Sequence, residues 1–168
     1  MSPRILVVLL FGLLCLPLAA ESGWVTLTPE GHRCSFSMPG KPSEKSSSLK
    51  TKLGEVPQKQ YILATRDAAF VVALVEYPAA RLKGLDPQSL LEGAVQGSLS
   101  NGGKVVQQKK LVLKGFPGRE VTYRKGDVVI RARLYLVGNR LYQTLVAAQE
   151  KRSKQPDVQK FLDSFQLK

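Results

Sequence analysis

A chain of 168 residues is long enough for one ordinary domain with a real hydrophobic core, and 43% of its residues are hydrophobic. Lys and Arg number 25 against 13 Asp and Glu, a formal net charge of +12, so a partner recognised by charge would be anionic. Two cysteines in such a chain exclude a disulfide-stapled scaffold.

The first element is a leader. Arg4 precedes the apolar run Ile5 to Leu16, and Pro17, Leu18, Ala19 and Ala20 follow, the order of a signal peptide. The run is shorter than the roughly 20 residues a spanning helix needs. Cleavage is expected after Ala20, or after Ser22 as the fallback, giving residues 1–20 as signal peptide and 21–168 as a single exported domain, periplasmic or extracellular. Cys15 does not fit a lipid-attachment site, because Leu14 stands where such signals need a small residue. Losing Arg4 lowers the charge from +12 to +11 and losing Cys15 leaves Cys34 alone. The alternation Cys34, Phe36, Met38 makes that cysteine a small buried hydrophobe.

Trp24 to Leu27 and Arg33 to Met38 read as an opening hairpin closed by Pro39 and Gly40. Residues 41 to 55, rich in Lys and Ser, read as a ragged edge strand or an exposed loop. Gln58 to Thr65 alternates, whereas Ala68 to Val75 is nearly unbroken apolar and reads as a central strand covered on both faces. Asp86 as N-cap and Pro87 as first residue open a helix carrying Leu90, Leu91, Ala94, Val95 and Leu99, and Asn101, Gly102 and Gly103 stop it. Gly93 and Gly97, four apart, are expected to pack closely on a sheet. Four strands follow, Lys104 to Leu113, Gly118 to Arg124, Asp127 to Val137 and Arg140 to Ala148. A last amphipathic helix from Pro156 to Phe165 carries Val158, Phe161, Leu162 and Phe165 on one stripe. Strands joined by tight turns with two helices define an α+β class, an antiparallel sheet with helices laid on it.

The Trp-led first strand, the "SFSMPGKP" turn, the mid-chain helix, "GFPGREV", the "RLYLVGNRLYQ" hairpin and the closing "FLDSF" together resemble the PsbP-type α/β/α sandwich. That fold is shared by the photosystem II extrinsic subunit, the Ran-binding Mog-type import factors and LpqN-like lipoproteins. The resemblance implies a PsbP-like fold in which helices flank the sheet. It also implies a binding or assembly role, with nothing that marks a photosynthetic one.

Catalytic signatures are sparse. His32, the single histidine, and Cys34 supply only two metal ligands; the neighbouring Glu30 and Glu21 could complete a site, but a structural zinc usually draws four ligands from two paired clusters. No serine sits in a Gly-x-Ser-x-Gly elbow, and neither "NGGK" nor "GFPGRE" has phosphate-loop spacing. No cofactor or metal site is therefore expected. An enzyme with a site assembled from scattered residues, or a small-ligand carrier with an apolar pocket, stands as the alternative to a binding domain.

Basic residues recur at Lys50 and Lys52, at Lys109, Lys110 and Lys114, at Arg119, Arg124 and Lys125, and at Lys151, Arg152 and Lys154. In an exported protein these suit an anionic envelope component, lipid or polymer, or an acidic protein partner; nucleic acid is not expected. Gly138 and Asn139 form a two-residue hairpin turn, which sets Val137 opposite Arg140 and Tyr135 opposite Tyr142. Arg131, Arg133, Tyr135, Arg140 and Tyr142 then share one sheet face, while Ile130, Ala132, Leu134, Leu136, Leu141, Leu145 and Ala147 build the core face. If Lys125 and Gly126 make the preceding turn, Glu120 lies opposite Arg131 and Asp127 opposite Arg124, and Arg133 has no acid across from it. The five-residue strip is the candidate binding face, unless helices or loops cover it.

Overall fold

The computed structural model describes residues 23–99 and 102–168; the expected leader and its cleavage site lie outside the described residues. The opening hairpin forms as read, β1 (Val25–Leu27) pairing antiparallel with β2 (Cys34–Met38). Seven further strands make the main antiparallel sheet. These are β3 (Ser43–Thr51), β4 (Gly54–Ala64), β5 (Ala68–Glu76), β6 (Lys104–Leu113), β7 (Phe116–Lys125), β8 (Val128–Val137) and β9 (Arg140–Gln149), in the order β3-β4-β5-β9-β8-β7-β6. The helices are α1 (Ala79–Leu82), α2 (Pro87–Leu99), α3 (Glu150–Ser153) and α4 (Pro156–Asp163). After α4 the two-residue β10 (Gln166–Leu167) pairs with β2, completing a small second sheet, β1-β2-β10.

Side-chain alternation sorts the main sheet into two apolar faces, each with its own core. On one, Leu91 and Val95 of α2 pack on Val121, Tyr123, Ala132, Leu134, Leu136 and Leu141. On the other, Phe70, Val72, Tyr135, Tyr142 and Val146 meet Cys34, Phe36 and Met38 of the small sheet and Val158, Phe161 and Leu162 of α4. β5 feeds both, with Phe70, Val72 and Leu74 to one side and Ala73 and Val75 to the other, so its unbroken apolar run fits a strand covered twice. The architecture is more sheet-rich than the helix-flanked sandwich expected. One face carries α2, but much of the other is roofed by strands.

Local chemistry accounts for the boundaries. The Asp86 carboxylate accepts the backbone N–H of Ser89 at 2.8 Å and its hydroxyl at 2.9 Å, which starts α2. Gly93 and Gly97 do not mediate helix–sheet packing; a Cβ on either would meet nothing within 4 Å, because α2 turns Leu91 and Val95 inward instead. The close approach falls at Gly118, where a Cβ would lie 2.6 Å from the Tyr135 ring and 2.7 Å from the Leu134 carbonyl oxygen. Residues 43–51 form an ordered nine-residue edge strand paired from Ser43↔Ile62 to Thr51↔Gly54. The last helix ends at Asp163, leaving Phe165 to dock beyond it.

Candidate functional site

The Gly138–Asn139 turn sets the register of β8 and β9 as expected, with Val137↔Arg140, Tyr135↔Tyr142 and Arg133↔Thr144. The β7–β8 register departs from the expectation. Its turn is Gly126–Asp127, with Gly126 at φ +58° in the first central position, the place glycine takes in a type II′ turn. Pairing moves accordingly: Arg131 faces Thr122, Tyr135 faces Gly118, and Arg133 faces Glu120.

That shift, with the arrival of the C-terminal segment, covers most of the expected binding strip and leaves Arg140 partly exposed at its edge. Tyr135 and Tyr142 are 6% and 2% exposed. The Phe165 ring stacks on Tyr135 at 5.6 Å between centroids and leans on Tyr142 at 5.4 Å. The Tyr142 hydroxyl donates to the His32 carbonyl at 2.6 Å, and burial raises both tyrosine pKa values. Arg133 Nε donates to Glu120 Oε2 at 2.6 Å, and its Nη1 donates to Asp163 Oδ1 at 2.7 Å and to the Leu162 carbonyl at 3.1 Å. Arg131 donates to the Ser153 carbonyl at 3.2 Å and to Gln159 Oε1 at 2.6 Å. Both arginines thus satisfy carbonyls at the C-terminal ends of α3 and α4, where cations also complement the helix dipole. Arg140 spans Glu76 at 3.5 Å and the Gly31 carbonyl at 2.9 Å. The expected exposed face is therefore covered at Tyr135 and Tyr142 and engaged within the fold at Arg131 and Arg133, with Arg140 partly exposed: tyrosine rings and arginine stems carry enough apolar surface to be roofed once their polar tips find partners.

Glu120 sits at the centre of this layer, between Arg133 and Lys109, whose Nζ lies 2.9 Å away. Burial pushes its carboxyl up, but the hydrogen bonds from Lys109 and Arg133 outweigh burial and hold it below the usual carboxylate range. Burial lowers the pKa of His32, with Arg140 adding to the effect. Cys34 is fully buried, and burial pushes its thiol up to about 11. Among the described residues no group of three or more His, Cys, Asp and Glu could hold a metal ion. Arg119, one of the basic residues of the sequence, is not a surface charge: it is 7% exposed on the α2 face with no hydrogen-bond partner for Nη1 among the described residues.

Exposed charge lies at both ends of the main sheet. At the end where β5 begins and β9 finishes, Arg152 pairs with Asp67 and Asp157, and Arg124 and Lys154 pair with Glu150, while Arg66, Lys104, Lys125 and Lys151 are exposed and form no ion pair among the described residues. At the other end lie the β3–β4 turn, α1 and the β6–β7 turn, carrying Lys50, Lys52, Arg81, Lys83, Lys110 and Lys114. All six are exposed and form no ion pair among the described residues. Of these, Arg81 and Lys83 went unremarked in the sequence, because their distance from Lys50 and Lys52 along the chain hides that Arg81 Nη1 bonds the Leu53 carbonyl at 2.5 Å.

No family model and no curated protein matches the chain. Among solved structures, it is similar to the solution structure of cyanobacterial PsbP (CyanoP) from Synechocystis sp. PCC 6803, with a TM-score of 0.56, 14% identity, and coverage of 91% of this chain and 97% of that one. A Pseudomonas aeruginosa protein of unknown function, PA94, matches at a TM-score of 0.42 and 12% identity over 77% of this chain and 85% of its own; likeness at that level carries no argument. The small strand sheet, the seven-stranded antiparallel sheet and the helices packed on them constitute a PsbP-like fold.

Proposed function

We propose that the chain is an exported, non-enzymatic accessory domain that holds an anionic surface or an acidic protein partner by charge. The observation that carries this reading is the surplus of exposed cations without acidic partners among the described residues, Lys50, Lys52, Arg81, Lys83, Lys110 and Lys114 at one end of the sheet and Arg66, Lys104, Lys125 and Lys151 at the other. Of these, Arg81 and Lys114 each also hold a backbone carbonyl, that of Leu53 and of Leu167, but none is held by an acid, whereas Arg131, Arg133 and Arg140 have their partners inside the fold. Fixed like charges on one surface repel each other and attract anions. The leader supplies the export part of the reading.

The test is a capture experiment from envelope extract with the processed chain as bait, at low and at high salt. A partner retained at low salt and released at high salt supports the reading, since exposed charges are screened beyond about 8 Å at physiological ionic strength and at shorter range as salt rises. A partner whose retention ignores salt, or none at either, removes it. Mass spectrometry of the native protein checks export: a chain beginning after Ala20 or Ser22 is expected, and an intact Met1 would contradict it.

A further inference from the structure

We infer that the free edge of the main sheet at β6 accepts an extended acidic segment of a protein partner as an added strand, an inference that rests on the charge-binding reading above and names its partner. The sheet order leaves two edge strands, β3 and β6. Among the described residues, β6 bonds to β7 on one side, and no other strand, loop or side chain hydrogen-bonds the main chain of residues 107–113. The irregularity between Val105 and Gln107 precedes that run, which pairs without a break from Gln107↔Thr122 to Leu113↔Phe116. Such an edge presents a row of unpaired N–H and C=O groups that an incoming strand satisfies.

Side chains distinguish the two edges. β3 is polar except at Leu49, its one acid, Glu44, is already paired to Lys59, and none of its residues is an exposed large hydrophobic. A strand laid there would gain main-chain bonds but bury little apolar surface. β6 carries no acid, and its run 107–113 holds Lys109, Lys110 and Val112, the last 75% exposed. Leu111 and Leu113 are half-buried at the margin of the core that also holds Phe165 and Leu167. An added strand would widen that core.

The register specifies the partner's chemistry, because opposed residues of neighbouring strands share a face. Lys109 and Lys110 are consecutive and put one cation on each face, Lys109 with Glu120 and Lys110 with Arg119. Leu111, Val112 and Leu113 then offer apolar side chains to both faces. The fitting segment sets two consecutive acids against the lysines and three β-branched residues against the apolar positions. Lys110 has no ion pair, Lys109 shares Glu120 with Arg133, and the nearby Glu92 accepts from Gln108 at 2.9 Å. The cations of this edge therefore outnumber the acids beside it. A second copy of β6 is the wrong occupant. Aligning 107–113 antiparallel on itself puts Lys110 opposite Lys110 and Lys109 opposite Leu111, and like charges directly opposite are destabilising.

The probe is the capped peptide Val-Val-Val-Glu-Glu-Thr-Thr, which matches residues 113 to 107 in antiparallel order, titrated into the processed chain and followed by amide NMR. Shifts should concentrate on residues 107–113, alternate amides of that run should become protected from exchange, and binding should weaken with salt. An added strand turns only every second N–H toward its neighbour. N-methylation of alternate peptide residues should therefore abolish binding in one phase and spare it in the other. Lys110→Gln and Val112→Ser should each weaken binding about two- to five-fold, and Lys50→Gln on β3 should leave it unchanged. All three side chains are exposed, and an unchanged melting temperature verifies the fold. Shifts centred away from 107–113, equal binding of both N-methylated peptides, or binding indifferent to Lys110→Gln and Val112→Ser overturns strand addition at β6. Absence of peptide binding alongside salt-sensitive capture of an envelope component overturns the β6 edge as the site and leaves the charge-binding reading intact; absence of both removes both.

Discussion

Arg133→Gln removes the cation that joins β7, β8 and α4, and the size of its effect follows from the partners that cation holds. The Arg133 and Glu120 side chains are each only 15% exposed, and the guanidinium also holds Asp163 and the Leu162 carbonyl. Breaking a fully buried ion pair from one side costs about 3–5 kcal/mol. Here Lys109 still partners Glu120, and Asp163 is more than half exposed, so the expected loss is about 2–3 kcal/mol, in the range of hydrogen bonds to charged groups. Urea unfolding followed by tryptophan fluorescence and far-ultraviolet circular dichroism measures it. The loss should depend on pH with a definite sign. The folded-state pKa of Glu120 is depressed, so its contribution is present above its unfolded value of about 4.3 and is lost as pH falls through the folded value. The gap between wild type and Arg133→Gln is therefore full at pH 7 and narrows in acid. A loss below about 0.5 kcal/mol at pH 7, the usual scale of a surface change, would refute the assignment of Arg133 to the fold.

Phe161→Ala should destabilise by about 3–5 kcal/mol, because the ring is fully buried and meets Phe70 edge-to-face at 5.3 Å; a denaturation change under about 1 kcal/mol would show that α4 is peripheral. Gly118→Ala should cost about 1–3 kcal/mol, since the new methyl group meets the backbone carbonyl of Leu134 as well as the Tyr135 ring and the carbonyl cannot swing away; an unchanged urea midpoint would contradict that packing. Cys34 should resist thiol reagents at pH 8 in the folded protein and react at the rate of unfolding, because burial holds its thiol near 11 and excludes the reagent; rapid labelling without denaturant would place it at an open surface.

The elements legible in the sequence were those fixed by local chemistry. Asp86 and Pro87 start α2, and Gly138–Asn139 closes β8 onto β9 with the expected partners. The β7–β8 turn was less determinate, because Lys125-Gly126-Asp127 allows glycine in either central position of a two-residue turn. Moving the turn by one residue preserves the faces but changes every partner by two, which is how Glu120 comes to oppose Arg133 rather than Arg131. β10 has two residues and exists only through its pairing with Ser35 and Cys34, more than a hundred positions away, so nothing local announces it. The apolar stripe of α4 was readable, but not that it lands on the Arg131-to-Tyr142 strip, which is what turns an apparent binding face into an interior layer. The cations around the β3–β4 turn were half visible: Lys50 and Lys52 stand out as a pair, whereas Arg81 joins them only through the fold.

If the arginine strip serves the fold and the exposed cations without acidic partners serve partner binding, the double variant Arg133→Gln with Arg140→Gln separates the two roles most directly. Its urea stability and its binding to anionic vesicles should be measured on the same preparation, with the salt dependence recorded for both proteins. The predicted result is a clear loss of stability with vesicle binding and its salt dependence unchanged under conditions where the variant remains folded. Stability within about 0.5 kcal/mol of wild type together with weakened, less salt-sensitive binding would contradict that division of roles and return the binding face to the strip.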